Sequence, residues 1–438
     1  MPIACKSTWL AISLAAAISV AATGRPAGAV VLSEDEFEET STIAGAIARA
    51  FAFVLAGETL EPPLMLGDMN PTGLGIFDLR LYFEKRSPSL KLVVHNQLTS
   101  VIRSHALLGA ANIGRGASPP RLLALRFDLT DEPTLGVRNT VDWLYVAWSR
   151  DSVTATLGRQ PVTFGRGKLW SPSDLVGTFA LTEVDTEYKP GADALRVDWS
   201  PSEKTTVTAV ASAGELEDDD DMEATLGGSS FLAQVKRTFG RGEAGLMAGY
   251  IRGDAVAGVD GVVDTGSFEV YGEATLSVLT KRSLMAAALS GGDSLQERHD
   301  VIGKAVLGAT FRPRSKITLS PEVLYNGFGS RDAGDYYSVA TSDRAAIGEQ
   351  TLLGQLHAGL VVNWEAHPLV NVAGVSLVNA LDPSALASVS VSYSVSDNAQ
   401  ALIGGYAPIG KTPESAIEPE DEFGMYPYFL FFELKAVM

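Results

Sequence analysis

The chain has almost no cysteine, few histidines, a deficit of positive charge and no long apolar run beyond its N-terminus. Its single cysteine is Cys5. It precedes an apolar stretch read below as part of a signal peptide, so it is neither a lipidation site nor part of the exported chain. Disulfide bonds and thiol chemistry are excluded. The five histidines are His95, His105, His299, His357 and His367. They show no close pairing and no H-E-x-x-H, so no metal site is expected, and no cofactor. Lys and Arg number 34 against 52 Asp and Glu, a net charge of −18. A partner held by its phosphates needs a basic face, so nucleic acid is excluded. No later stretch reaches the ~18 apolar residues of a membrane-spanning helix.

The N-terminus reads as a secretory signal peptide over residues 1–29. Lys6 supplies the positive charge, Leu10 to Ala22 the apolar core, and Ala27-Gly28-Ala29 the small-residue cleavage site. Residues 30–40 read as a short acidic periplasmic segment. Three acid clusters, Glu34–Glu39, Glu215–Glu223 and Glu414–Glu422, lie outside the periodic segments and read as solvated loops.

What is abundant is alternation with a period of two. In 76–84, Phe77, Leu79, Leu81 and Phe83 oppose Asp78, Arg80, Tyr82 and Glu84. In 268–278, Phe268, Val270, Ala274, Leu276 and Val278 oppose Glu269, Tyr271, Glu273, Thr275 and Ser277. The segments 304–312, 355–364, 388–395 and 426–438 follow the same rule. Such alternation marks half-buried antiparallel strands. Short connections (85–89, 149–152, 200–204, 238–242, 280–283, 312–316, 365–368, 396–398) alternate with long ones (58–72, 103–138, 160–191, 214–229, 253–266, 291–302, 328–350, 379–385, 409–425). A meander across a membrane sorts its loops in this way. The fold class expected is all-β: a transmembrane antiparallel up-and-down β-barrel of about eighteen strands, sixteen being possible, with short periplasmic turns and long external loops. It would fill 41–438 as one domain. Two segments stay open: 41–56 is alanine-rich and either strand or helix, and 121–129 either extends the wall or forms an external hairpin. Trp199, Trp364, Tyr426 and Tyr428 fall where aromatic girdles belong.

The polar phase contains Asp78, Arg80, Glu84, Lys91, His95, Arg196, Asp198, Lys236, Glu269, Glu273, Lys304, Arg312, Glu322, Glu433 and Lys435. An Arg or Lys facing lipid at mid-bilayer costs roughly 2–4 kcal/mol, so this phase faces the lumen. A barrel of this size holds an aqueous channel unless loops fill it. The same residues could instead pair with one another across neighbouring strands.

Residues 158–175 (GRQPVTFGRGKLWSPSDL) leave an ascending strand and open the third long loop. Gly158-Arg159-Gln160, Arg166, Leu169-Trp170, Asp174, Asp185 and Gly191–Arg196 together resemble the alginate-export family of outer-membrane porins, in which a GRQ strand end, a looped segment and a returning D-x-x-R strand recur in this order. The resemblance implies a porin-like barrel with a pore-constricting loop over 160–191. It also implies that Arg159, Arg166, Lys168, Asp174, Asp185, Glu187, Lys189, Asp193 and Arg196 line the constriction. Strand phase alone puts Arg159 with Val153 and Leu157, toward lipid. A strand end or bulge at Gly158 is expected to turn it inward.

No phosphate loop is present, since position 162 is valine. His357 has no flanking nucleophile motif and reads as a polar wall residue. The function expected is a channel for diffusion or export of a polar solute or polysaccharide, not an enzyme. A barrel-borne surface hydrolase or an adhesion barrel is the alternative. Outer-membrane lipid, lipopolysaccharide and the barrel-assembly machinery are the partners expected.

Overall fold

The computed structural model describes residues 30–35, 39–56, 72–104, 119–177, 187–214, 228–279, 301–340, 342, 345, 349, 351–412 and 419–438. The signal-peptide reading, the expected turn at 280–283 and Asp185 lie outside them. Twenty strands form one sheet. They are β1 (Val30–Asp35), β2 (Thr40–Ala56), β3 (Thr72–Arg86), β4 (Leu90–Arg103), β5 (Arg126–Glu132), β6 (Leu135–Arg150), β7 (Val153–Gln160), β8 (Ala192–Ser202), β9 (Thr205–Ser212) and β10 (Ser230–Phe239). They continue with β11 (Gly242–Ile251), β12 (Asp254–Asp264), β13 (Phe268–Val278), β14 (Val301–Arg314), β15 (Ile317–Asn326), β16 (Leu356–His367), β17 (Val370–Asn379), β18 (Ser384–Ser396), β19 (Ala399–Ile409) and β20 (Tyr428–Val437). All neighbours are antiparallel, and β20 returns to β2 with Ala48 opposite Ala436 and Ala50 opposite Leu434. Met438 and Ala46 then exchange backbone hydrogen bonds of 2.7 and 2.8 Å.

Two strands are extra to the circuit, and eighteen close the barrel. β1 pairs with residues 40–44 of β2, on the edge left uncovered where the pairing with β20 stops at Ile47. β5 pairs with residues 135–140 of β6, above the point where β7 stops pairing at Leu144. The two readings of 121–129 therefore converge, for the β5–β6 hairpin extends the wall. Residues 41–56 are strand, and Val30–Asp35 is also strand.

The alternation sorts the faces as expected. Leu157, Leu246, Leu307 and Leu430 are each about two-thirds exposed, on one phase, while Glu322 and His357 on the other are almost fully covered. A belt of exposed leucine and valine needs lipid; the charged phase needs the lumen. Trp148, Trp199, Phe239, Phe268, Trp364 and Tyr393 are exposed near the short-turn ends and form a girdle there. Tyr428 is exposed at the other rim, but Tyr426 is not part of a girdle. It precedes β20 and packs on Phe423 at 5.7 Å.

The loop sorting is less strict than expected. Residues 253–266 are not a long loop: β12 occupies them, and Arg252-Gly253 makes a tight turn on the rim of long connections. A second tight turn on that rim, 380–383, joins β17 to β18. β12 was obscured because its small residues (Ala255, Ala257, Gly258, Gly261) blur the alternation.

On the lumen face, aromatic rings lie flat across glycines of the next strand. Tyr271 covers Gly308, its direct partner; a Cβ at Gly308 would lie 2.5 Å from Tyr271 Cε2. Overpacking of this kind costs about 1–3 kcal/mol. Gly308→Val is therefore expected to lower the temperature at which the folded band converts to the unfolded band on semi-native gels. Gly261→Val, whose new Cβ would meet its nearest atom at 3.5 Å, should leave that temperature unchanged.

Candidate functional site

After Gln160 the chain leaves the wall and crosses the lumen. Its outward limb rests on the wall of β11–β15. Arg166 Nε donates to Asp260 at 2.6 Å, and its Nη2 to Glu243. The backbone N–H groups of Arg166 and Gly167 donate to Glu273 Oε1 at 3.1 and 2.9 Å, Ser171 Oγ at 2.9 Å, and Ser173 N to Oε2 at 3.1 Å. Glu322 takes the next three backbone N–H groups, those of Lys168, Leu169 (3.1 Å) and Trp170 (3.2 Å), and the Tyr271 hydroxyl at 2.7 Å.

The glycines make this approach possible. Gly165 has φ of +93°, and a Cβ there would lie 1.8 Å from Ser171 Oγ. Only glycine adopts that conformation without strain. Apolar side chains seat both sides of the crossing. Val162, Phe164 and Val176 pack with Ala194, Val210, Leu232 and Met247. Trp170 joins Leu352, Leu377, Leu386 and Phe423.

The return limb rests on the opposite wall. Glu187 accepts from Arg49 at 2.7 Å and from Lys435. Tyr188 lies under Arg80 at 4.4 Å and Arg49 at 5.4 Å. The indole N–H of Trp143 donates to the Lys189 carbonyl at 2.9 Å. The two limbs are joined by Lys189, which donates to both Asp174 oxygens at 2.6 Å. Burial pushes the Asp174 carboxyl up to about 6, against the opposing pull of Lys189. The same burial lowers the pKa of Lys189.

These contacts revise the expected site. Of the loop's described charges, Lys189 and Asp174 pair with each other, and the rest do not line an open constriction. Arg166 pairs with the wall, and Glu187 does likewise. Arg196 pairs with Asp198 at 2.7 Å on β8, away from the crossing. Asp185 lies outside the described residues. Lys168 is exposed, with its ammonium 5.7 Å from the Tyr271 ring. Of the expected wall residues, Asp78 accepts from Gln97 and Thr99, Arg80 pairs with Asp142 at 2.9 Å, and Lys91 pairs with Glu84 at 2.9 Å. Arg312 is exposed in an irregular stretch at the short-turn rim. Glu269 and Lys304 line a cavity of about 830 Å³ between the outward limb and the wall. Lys304 donates there to the Glu349 carbonyl at 3.0 Å, beside the Phe328 ring at 4.8 Å. His357 is not a watered wall residue: it is fully buried, with Nε2 2.7 Å from Glu422.

Arg159 does not turn inward. The pairing of β7 with β6 and β8 runs through it without a shift, opposite Leu144 and Asp193, so it keeps the outer phase of Leu157 and Leu195. It is nonetheless buried. Asp193 accepts from Arg159 Nε at 2.7 Å and Nη2 at 2.9 Å, and from the backbone N–H groups of Leu122 and Leu123 at 2.7 and 2.8 Å. Arg159 also donates to the carbonyls of Val141 and Leu123. The segment leading into β5 thus straps over the pair at the place where the chain dives inward.

Sequence reasoning missed Arg49, Asp142, Tyr188, Glu243 and Asp260. Asp260 was hidden in the segment read as a loop. Arg49, Asp142 and Glu243 had only their strand phase to offer, and Tyr188 lies in the loop, where no periodicity marks it.

The fold is a porin fold. The outer membrane protein OprD from Pseudomonas aeruginosa superposes with a TM-score of 0.51 at 8% identity, covering 94% of this chain and 95% of that one. OpdL of Pseudomonas aeruginosa gives 0.52 at 11%, covering 91% and 98%. A BenF-like porin from Pseudomonas fluorescens gives 0.51 at 9%, covering 91% and 98%. No protein-family model and no curated protein matches the chain.

Removing one member of a buried ion pair strands the other charge, at about 3–5 kcal/mol. Arg159→Leu should lower the band-conversion temperature strongly. Arg159→Leu with Asp193→Leu should recover part of the loss, because no charge is then left alone.

Proposed function

We propose that the protein is an outer-membrane channel through which a polar solute passes by diffusion, narrowed by residues 161–177 and 187–191. One observation carries this reading: a closed barrel crossed by a loop that is held by acidic groups on one wall and by basic groups on the other. Acidic groups (Glu243, Asp260, Glu273, Glu322) hold the outward limb, while basic groups (Arg49, Arg80, Lys435) hold the return limb. A loop anchored in this way narrows the lumen and selects solutes by size and local charge. The porin neighbours support the reading at the level of fold. The resemblance of 157–196 to alginate-export barrels supports the porin-like plan with a constricting loop and implies no particular permeant. Delivery by a signal peptide over 1–29, the periplasmic placement of the acidic segment 30–40, and contact with lipopolysaccharide and the barrel-assembly machinery belong to the same proposal.

Purified, heat-modifiable barrel added to a planar lipid bilayer should give stepwise conductance. An intact barrel that gives none would overturn the channel reading. The Asp174–Lys189 pair adds a pH signature. As pH falls through about 6, Asp174 gains a proton and its negative charge leaves the constriction, which becomes more positive. The cation-over-anion permeability ratio, from reversal potentials in a KCl gradient, should fall with a midpoint near that pH, and Asp174→Asn should abolish the step.

A further inference from the structure

We infer that Glu273 and Glu322 are the positioning residues of the constriction: they set the width of the lumen by gripping the loop's backbone and do not present their charge to the solute. The inference rests on the channel reading above.

A carboxylate is an acceptor only, with room for about four donors. Glu322 receives four, three of them consecutive backbone N–H groups of the loop tip. Glu273 receives four as well, all from 166–173. Both side chains are almost fully covered, at 1% and 3% exposure. Glu322, with two donors on each oxygen, has no lone-pair direction left for a passing solute, and Glu273, with three donors on Oε1 and one on Oε2, is shut off from it by the loop that covers it.

Loop and wall are also fitted to each other in shape. A Cβ at Gly165 would lie 2.7 Å from Glu273 Oε2, and one at Gly167 would lie 3.3 Å from Oε1. The backbone reaches the carboxylate only because both positions are glycine. On the wall side, the Tyr271 ring that donates to Glu322 is itself seated over Gly308. Glu269 provides the contrast. It lies on the same strand as Glu273 and lines the cavity, as Glu273 and Glu322 do not, yet among the described residues it forms no hydrogen bond or ion pair with the loop.

The test separates width from charge. Single-channel conductance, the size of polyethylene glycol excluded from the pore, and the reversal potential in a salt gradient are measured for the full chain and three variants. In Glu273→Gln with Glu322→Gln, an amide replaces each carboxylate and turns one acceptor oxygen into a donor facing backbone N–H groups. The loop should lift, conductance should rise roughly twofold as the narrowest point widens, and larger polymers should enter. Each single substitution should move the cut-off in the same direction. Glu269→Gln removes the same charge and should shift the reversal potential at an unchanged polymer cut-off.

A folded double variant that keeps the wild-type cut-off and shifts only its reversal potential, as Glu269→Gln does, overturns the inference. If the double variant does not give a heat-modifiable band, the single variants decide by the same criterion. Failure of the wild-type barrel to conduct is a different result and overturns the channel reading itself.

Discussion

A strand that leaves a barrel wall abandons hydrogen bonds that a membrane cannot replace. Lipid offers no donors or acceptors, so every backbone group at that depth needs a partner within the protein. This chain leaves the wall after Gln160, and much of the structure answers the resulting vacancy. On the outer side, β5 takes over the edge of β6 that β7 gives up, and residues 120–125 run across the exit point. Arg159 and Asp193 fasten that strap by bonding its backbone directly. On the inner side, the departing backbone finds acceptors in carboxylates of the facing wall. The loop is held less by side chains of its own than by acids on β13 and β15.

Two walls of opposite sign follow from the same need. The outward limb offers N–H groups and Arg166, so the wall it meets is acidic. The return limb offers Glu187 and an aromatic ring, so the wall it meets carries Arg49, Arg80 and Lys435. The groups that grip each limb are of one sign because the loop supplies the opposite one, while other charges of the same walls, such as Asp142 beside Arg80 and Glu433 beside Arg49, pair within the wall. The acidic net charge of the chain therefore says little about the lumen, where most wall charges are neutralised locally.

The strands were legible because lipid and water impose opposite demands on alternate residues. Phe77, Leu79 and Leu81 against Asp78 and Arg80 leave little choice of face. β12 was illegible because glycine and alanine satisfy both faces. The barrel residues that would face the lumen were also legible, but not their partners. Glu273 lies about a hundred positions from the N–H groups it binds, and a backbone donor has no signature in sequence. Arg159 is the instructive failure. Its phase was read correctly, and the chemistry of a charged side chain argued against it. The resolution lay in a third element, the strap over 120–125, which supplies polar partners on the outer face.

The rings seated over glycines bear on how the cylinder is assembled. Tyr82 lies across Gly45 on β2, and Phe431 on β20 lies across Gly404. Both strands that meet at the seam are thus keyed to their inner neighbours, whereas across the seam itself ring meets ring, with Phe53 stacked on Phe429 at 5.2 Å. A strand slipped by one position would exchange its lumen and lipid faces, and a ring would then press on a Cβ where none is tolerated. Alignment errors are penalised within each half before the ends meet. The last junction is left to pack Phe51, Phe53 and Leu55 against Phe429 and Phe431, with the ratchet teeth already engaged on either side.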